Sequence, residues 1–477
     1  MRIVLVHPAG SNWVPGKKDV SATANRMAPL GLLCIAAFLE RQGYQVAIED
    51  CLGPRPAATP EETVRRILAH KPDMVGFSTT TSGFLDACDL AALIKQDHPD
   101  ISTVFGGVHV SALGGELLDR FAPIDYLCLG EGEQTLAELA GGVPPAEITG
   151  LAWRDNETIR VNGNREPIGD LDSLPFPAYE KLAGFPKSYH LPLFSYITPP
   201  GATMVTSRGC PYQCSYCDRS VFKRGYRYNS ASYIYEHMSY LRRRFGVRHI
   251  NIYDDLFTLQ RRRIESLCRL LIEKPLGLQF NCAVRVGHAD EELLRLLKAA
   301  GCLMVSVGIE SGDPELLETH KPGVYLEEVR TTVERIHRVG LRVKGLFMMG
   351  LPGETEESIK KTSDFVVSLD LDDMNMTKFT PFHGAPVWQS IFSQGQVAED
   401  WRKMNCLNFV FLPGGIESWE RLDYLYNSHV KRFYSDPNWR KRFRSRLWQH
   451  RHSLFRLVRD LPDFLSAMRT FEPGSDH

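Results

Sequence analysis

Short apolar runs rich in β-branched residues alternate with helix-length amphipathic segments twice along this chain, and the alternation leaves few folds open. In the first block the strand-like runs are Ile3–His7, Val46–Glu49, Met74–Ser78, Thr103–Phe105 and Tyr126–Leu129. Helical patterns lie between them at Leu30–Gln42, Pro60–His70, Phe84–Gln96 and Ala112–Phe121. Strict alternation predicts an α/β fold with a parallel, doubly wound sheet, whose ligands bind at the carboxyl ends of its strands. The pattern resumes with strands expected at Met204–Thr206, His249–Tyr253, Leu278–Cys282, Met304–Ile309, Val343–Met348 and Met374–Lys378. Its helices are expected at Ser232–Phe245, Arg261–Ile272, Glu291–Ala299, Leu326–Val339 and Glu356–Ser368. Ile264, Leu267 and Leu271, then Val329, Val333 and Ile336, keep the spacing of one buried helical face.

The second block opens on Cys210-Pro-Tyr-Gln-Cys214-Ser-Tyr-Cys217, just after Met204-Val-Thr-Ser and the turn Arg208-Gly209. Three thiols within eight residues are too close for ordinary pairing of all of them, and an odd number leaves one over. Thiolates are soft ligands, and closely spaced ones on a loop converge on a soft metal centre. A structural zinc wants four protein ligands, and no fourth cysteine or well-spaced histidine follows nearby. The donor set suggests a 4Fe–4S cluster with one iron open to something that is not protein. The blander reading is three incidental buried cysteines on a loop.

The C-x3-C-x2-C spacing, with the aromatic Tyr216 before the last cysteine, resembles the signature of the radical SAM superfamily. The resemblance implies that Cys210, Cys214 and Cys217 bind three irons and that S-adenosyl-L-methionine (SAM) chelates the fourth. An electron from a donor such as flavodoxin or ferredoxin would cleave SAM to methionine and a 5′-deoxyadenosyl radical. Six βα repeats fit the partial (β/α)6 TIM-type barrel of that family, in which functional residues sit at the carboxyl ends of strands. After the second strand stand Asp254 and Asp255, either of which would accept from the methionine ammonium; a helix N-cap before Arg261 is the alternative for one of them. Arg285, after the third, suits a carboxylate or phosphate. After the fourth come Glu310, resembling the family's ribose-binding acid, and Ser311. After the fifth, Gly350-Leu-Pro-Gly353 would bring backbone amides toward adenine or methionine.

In the first block the strand ends carry Ser78-Thr79-Thr-Thr-Ser82-Gly83, then Gly106-Gly107-Val-His109, then Gly130-Glu131-Gly132-Glu133. Glycines admit a ligand close to the backbone, and hydroxyls bond amide or phosphate groups, although tight βα turns would look the same. No G-x-G-x-x-G follows the first strand, which disfavours a dinucleotide fold. With the helix entry Pro29-Leu30-Gly31, these turns resemble the Rossmann-like cobalamin-binding domain ahead of many radical SAM domains. The resemblance implies cobalamin contacts from Ser78, Thr79, Gly106, Gly107, His109, Gly130, Glu131 and Gly132. The D-x-H-x-x-G of many cobalamin domains is missing from His7-Pro-Ala-Gly-Ser-Asn-Trp-Val-Pro-Gly16. A structural role is therefore expected for His7, and cobalt bound by no protein histidine. Together the resemblances imply a cobalamin-dependent radical SAM methyltransferase acting on an unactivated carbon or phosphorus centre. The alternative is a non-methylating oxidase or cyclase of the anaerobic magnesium-protoporphyrin monomethyl ester cyclase type.

Four segments are expected: 1–140 for cobalamin, a connector 141–200 with a hairpin around Asp155-Asn-Glu, the barrel 201–392 and a helical extension 393–477. The extension mixes aromatics with cations, as in Trp439-Arg-Lys-Arg-Phe-Arg-Ser-Arg-Leu-Trp448, and Pro462 and Pro473 punctuate its end. It reads either as a helical cap closing the barrel mouth with solvated cations, or as a basic amphipathic surface touching anionic lipid, which would suit a lipophilic small-molecule substrate. A net charge of −1 gives no global bias toward nucleic acid. No apolar run approaches the roughly 20 residues of a membrane span, and the N-terminus lacks a signal-peptide core. Cys34, Cys51, Cys88, Cys128, Cys268, Cys282 and Cys302 sit in apolar contexts and read as buried thiols in a reducing compartment. A cytoplasmic, oxygen-sensitive protein is expected.

Overall fold

The computed structural model describes residues 1–10, 25–54, 59–459 and 461. The part of the first-strand loop at 11–16, and Pro462 and Pro473, lie outside those residues. The first sheet begins with five parallel strands: β1 Arg2–His7, β2 Gln45–Asp50, β3 Met74–Ser78, β4 Ser102–Gly106 and β5 Tyr126–Cys128. Its helices are α1 Leu30–Arg41, α2 Pro60–Ala69, α3 Thr81–Asp97, α4 Val108–Leu113, α5 Glu116–Arg120 and α6 Gly132–Ala140. The single helix expected at 112–121 is broken into α4 and α5 at Gly114, whose φ of +62° lies outside the helical region. Helix α6 follows directly on the glycine turn Gly130-Glu-Gly and was hidden by it.

The expected hairpin forms as β6 Leu151–Asp155 and β7 Thr158–Val161, but it is no part of a free connector. Strand β6 pairs antiparallel with β5, extending the sheet to the order β2-β1-β3-β4-β5-β6-β7. Without it the short β5 would present an open edge, and buried Leu151 and Ala152 complete the core there. The chain reverses its direction of winding between β1 and β3, which opens a crevice at their carboxyl ends.

The second sheet is parallel throughout, in the order β15-β14-β13-β12-β11-β8. Strand β8 is Gly201–Met204, and a two-residue ladder of β9 Ser207–Arg208 with β10 Arg227–Tyr228 closes the neck of the cysteine loop. The others are β11 His249–Ile252, β12 Gln279–Val284, β13 Cys302–Glu310, β14 Arg342–Met349 and β15 Asp373–Lys378. Helices α7 Ala231–Phe245, α8 Arg261–Glu273, α9 Glu291–Ala299, α10 Pro314–His320, α11 Leu326–Arg338 and α12 Glu356–Ser368 cover its outer face. Along β14 burial alternates: Val343, Phe347 and Met349 join the core against the helices, while Lys344, Leu346 and Met348 face the hollow.

The tail bears out only part of the mouth-cap expectation: Val397 and Phe411 pack with Leu351, Phe379 and Tyr216 at the carboxyl rim, but the rest of it goes elsewhere. Trp401 and Met404 join the core of the first domain, the Trp401 ring lying 4.5 Å from that of His109. Helix α13 Trp419–Ser435 lies along α12 and β15, where the Tyr426 and Tyr434 hydroxyls donate to the carbonyls of Met376 and Met374. Helices α14 Pro437–Arg446 and α15 Arg451–Arg459 then pass under the amino ends of the strands. There the Trp439 indole donates to Asp372 O, the Arg342 guanidinium to His450, and the Phe194 N–H to the Ser453 hydroxyl. Helices α14 and α15 therefore plug the barrel floor, opposite the cysteines. Several of the extension's cations are paired rather than solvated, because Asp364, Asp370 and Asp372 offer carboxylates to Arg432, Arg442 and Arg446.

Asp372 is fully buried and accepts from Val343 N at 2.9 Å as well as pairing with Arg446. Asp372→Ala is expected to lower stability by about 1.5–3 kcal/mol, the range for hydrogen bonds to a charged group. Chemical denaturation of the apoprotein checks it.

Candidate active site

The cysteine loop leaves the rim through a tight neck. Arg208 and Arg227 are register partners, and Gly209 has φ +86°, where a Cβ would lie 2.0 Å from Gly225 O. Within the loop the Cys217 N–H donates to Cys214 O at 3.3 Å. The Cys217 thiol hydrogen-bonds the Cys214 sulfur and holds Cys214 below the usual thiol range against the opposing effect of burial; Lys321, the Tyr216 hydroxyl and Arg285 add to the lowering. Among the described residues no three His, Cys, Asp or Glu side chains converge closely enough for one ion. A cluster makes a different demand, since each thiolate bonds a different iron and the sulfurs stand further apart. Three free thiols held on one loop behind the tight neck fit that group.

The strand-end acids divide into engaged and available. Asp254 has a fully buried side chain, accepts from both the Thr206 N–H and hydroxyl, and lies 3.6 Å from Arg263. Its oxygens anchor the end of β8, so the expected ammonium contact is not theirs to make. Asp255 opens to the rim and accepts from the Gly209 N–H; the protein crowded around its carboxyl, and then the Asp254 charge, raise it. Glu310 stands at the end of β13 with φ +70°, and its carboxylate accepts from Lys321 Nζ at 2.8 Å. Ser311 is buried and bonded to Thr362 and the Asp313 N–H, which makes it a turn residue rather than a ligand. The amides of Gly350 and Leu351, expected to face SAM, are taken by the buried Glu354, whose carboxyl burial pushes up to about 8. Gly353, at φ +80°, completes the same turn.

Arg285 was expected at this rim, but several of its neighbours were invisible as a pattern. Arg285 lies 3.8 Å over the Tyr212 ring and donates to Pro322 O, and the Tyr212 hydroxyl meets His288 at 2.7 Å. His320 bridges Ser215 of the cysteine loop to Pro352 O of the glycine turn. His320 ends α10 and Lys321 follows it, neither at a strand end, so only the fold brings them to the rim.

The expected cobalamin residues mostly line one slot between the first sheet and helices α1 and α6. It has a volume of about 140 Å³, and Ser78, Gly106, Gly107, Gly130, Glu131 and Gly132 border it. Gly31 of α1 also lines it, and a Cβ there would meet nothing within 4 Å. Opposite, Gly76 leaves only 3.0 Å between an added Cβ and Leu5. A narrow apolar slot with glycine walls fits a flat inserted group, as the B12 reading requires. Two expected contacts are not there. Thr79 gives its N–H and hydroxyl to Gly106 O and packs under Gly107, whose Cβ would lie 2.5 Å from Thr79 O. His109 is buried among Phe84, Trp401 and His383, and burial pushes its imidazole down to about 3. His7 pairs with Asp50 at 2.9 Å, in keeping with a structural role. The slot's remaining wall is Arg208, Val221 and Phe222 from the cysteine loop.

Comparison with known proteins agrees with both halves of the site. Residues 204–366 match the family model of the radical SAM superfamily, and residues 16–140 that of the B12 binding domain. An uncharacterized methyltransferase of Pyrococcus horikoshii is 30% identical over 92% of this chain and 93% of its own. The anaerobic magnesium-protoporphyrin IX monomethyl ester cyclase of Rubrivivax gelatinosus is 26% identical over 91% of this chain and 77% of its own. Among solved structures, the radical SAM methyltransferase TsrM of Kitasatospora setae, with cobalamin and a 4Fe–4S cluster bound, superposes with a TM-score of 0.68. It is 19% identical, covering 91% of this chain and 89% of that one, and so speaks for the fold.

Filling the slot from the helix side gives two effects of opposite sign. Gly31→Leu is expected to stabilise α1 in the apoprotein by up to about 1 kcal/mol through helix propensity. It is expected to abolish corrinoid uptake, read as the loss of the bound corrinoid spectrum after reconstitution and desalting.

Proposed function

Since the chain belongs to the radical SAM enzymes that carry a B12-binding domain, we propose that it methylates an unactivated carbon or phosphorus centre of a small molecule. One observation carries the reading: the cysteine loop supplies Arg208, Val221 and Phe222 to the wall of the glycine-lined slot. The two cofactor sites thus border one cleft. With both groups bound, the cluster and SAM supply a hydrogen-abstracting radical and cobalamin supplies the methyl group. The protein's part is to hold and to exclude. Cys210, Cys214 and Cys217 would bind three irons, and Tyr216 beside Cys214 would shape the SAM pocket. Asp255 would receive the methionine ammonium, Glu310 the ribose hydroxyls, and Arg285 or Lys321 the methionine carboxylate. Val221 and Phe222 keep water from the boundary between the sites. The cyclase reading has three relatives behind it, at 24–26% identity, while the relative at 30% identity is named a methyltransferase.

The hollow face of the barrel bears on the substrate. Asn281 and Asn251 are hydrogen-bonded at 2.9 Å, Ser306 stands beside Lys344 in register, and Lys344 pairs with Asp373 at 3.1 Å. Such a lining favours a substrate with hydrogen-bonding groups over a pure hydrocarbon. All eleven cysteines are free, which supports a reducing, cytoplasmic setting, and a flavodoxin or ferredoxin is the fitting electron donor. Among the described residues no helix is long and apolar enough to cross a membrane. Peripheral contact with anionic lipid is supported by Trp448, Phe455 and Val458, exposed by 79%, 70% and 69% on the floor helices beside Arg451.

The chemistry is checked by anaerobic reconstitution. Wild type is expected to form 5′-deoxyadenosine from SAM and reductant, and Cys214→Ala to form none. With methyl-deuterated SAM, a labelled methyl group in the product supports the reading, whereas a gain of oxygen from water favours the cyclase type. For the floor, wild type is expected to float with anionic vesicles but not neutral ones. The double variant Phe455→Ser/Val458→Ser should stay behind, and equal flotation of both removes the membrane contact.

A further inference from the structure

The acids of Gly130-Glu131-Gly132-Glu133 look like cofactor ligands, yet their oxygens face the other domain. Arg208 sends one guanidinium nitrogen to Glu131 at 2.5 Å and the other to Glu133 at 2.7 Å. Arg227, its register partner across the neck, donates to both oxygens of Glu131 at 3.0 and 2.8 Å. Ile168 N adds a fourth hydrogen bond to Glu131 at 2.9 Å, and Ile168 O accepts from Arg227. A carboxylate has about four lone-pair sites, so Glu131 is saturated. The side chains of Glu131, Glu133, Arg208 and Arg227 are 5%, 4%, 12% and 14% exposed, which shields the pairs from screening by salt.

We propose that these two arginines and two glutamates form a clamp that sets the placement of the cysteine loop against the corrinoid slot, as positioning residues rather than ligands of either cofactor. Both ends of the clamp are stiff. Arg208 stands two residues before Cys210, in a neck so tight that a Cβ on Gly209 would lie 2.0 Å from Gly225 O. Glu131 and Glu133 open α6, whose Gly132 and Leu136 wall the slot. A shift of the slot wall is therefore transmitted to the first cluster cysteine through paired charges instead of a flexible linker. Arginine's two terminal nitrogens each take a different carboxylate, whereas an ammonium must serve both from one nitrogen, which is why arginine suits position 208 better than lysine.

The proposal rests on the reading that this chain holds both cofactors, and wild type alone tests that reading: a reconstituted wild type without cobalt or without iron sinks it. The clamp itself is tested on full-length holoenzyme by the magnetic interaction between cob(II)alamin and the reduced cluster, which falls steeply with their separation. Arg208→Lys keeps the charge but spans one carboxylate, and Glu133→Gln keeps the shape but removes a charge. Both are expected to retain cobalt and iron within twofold of wild type while the interaction weakens at least twofold or spreads into a broad distribution. An interaction identical to wild type in both variants overturns the clamp. So does loss of both cofactors together with the melting transition in both variants, which would make the four residues a folding element only. Should Arg208→Lys alone fail to fold, Glu133→Gln decides between these outcomes.

Discussion

Parallel strands deliver all their carboxyl ends to one rim, and this protein has two such rims facing each other. Five strands of the first sheet and all six of the barrel obey the constraint. Each βα turn then places its first polar or glycine residue at the same level, which is why so many chemically distinct side chains lie near one cleft. The constraint does not say how the rims are held in register. That task falls to charge pairs buried where the domains meet, above all those of Arg208 and Arg227 with Glu131 and Glu133. Directional, desolvated ion pairs define one arrangement.

The same cleft shows how a protein divides its acids between structure and chemistry. Asp254 and Asp255 are neighbours in sequence with opposite duties, because a strand end turns successive side chains to opposite sides. One points into the barrel wall and is met by Thr206 and Arg263; the other faces the loop. Glu354 repeats the theme: buried and biased toward its neutral form, it orders the turn at Gly350 without adding a charge beside the cysteines. Glu310 is left with one counter-ion, Lys321, and is the acid at the rim with capacity to spare for hydroxyl groups.

Much of this was legible in the chain. Strand ends were readable because β-branched runs and periodic helices mark them, and the cysteine spacing needs no tertiary information. What sequence could not supply was the fate of individual lone pairs. Ser311, Thr79 and Asp254 have the right chemistry at the right rim, yet each is hydrogen-bonded to its own fold. His109 follows a glycine turn as a cofactor contact would, but its ring is packed in an aromatic cluster with Trp401, nearly 300 residues on in sequence. Lys321 and His320 show the converse: no spacing rule connects them to the cysteines, and only the return of the chain at the end of α10 does. The hairpin β6–β7 was recognised but misplaced, because an edge strand's need for a partner is a property of the sheet.

The basic tail follows the same logic at the opposite end of the barrel. From Pro437 to Arg459 there is no carboxylate at all, a composition that by itself suggests an external polyanion. The counter-charges are internal, since Asp370 and Asp372 collect at the amino end of β15 and meet Arg442 and Arg446. A parallel sheet whose carboxyl rim is reserved for a partner domain has only its amino rim left to close. The chain closes it with helices whose charge complements the acids collected there. Arg442 and Arg446 are thereby satisfied within the molecule, while Arg440, Lys441, Arg444 and Arg451 lie exposed, so an anionic surface that docks there meets both these cations and the exposed apolar side chains Trp448, Phe455 and Val458.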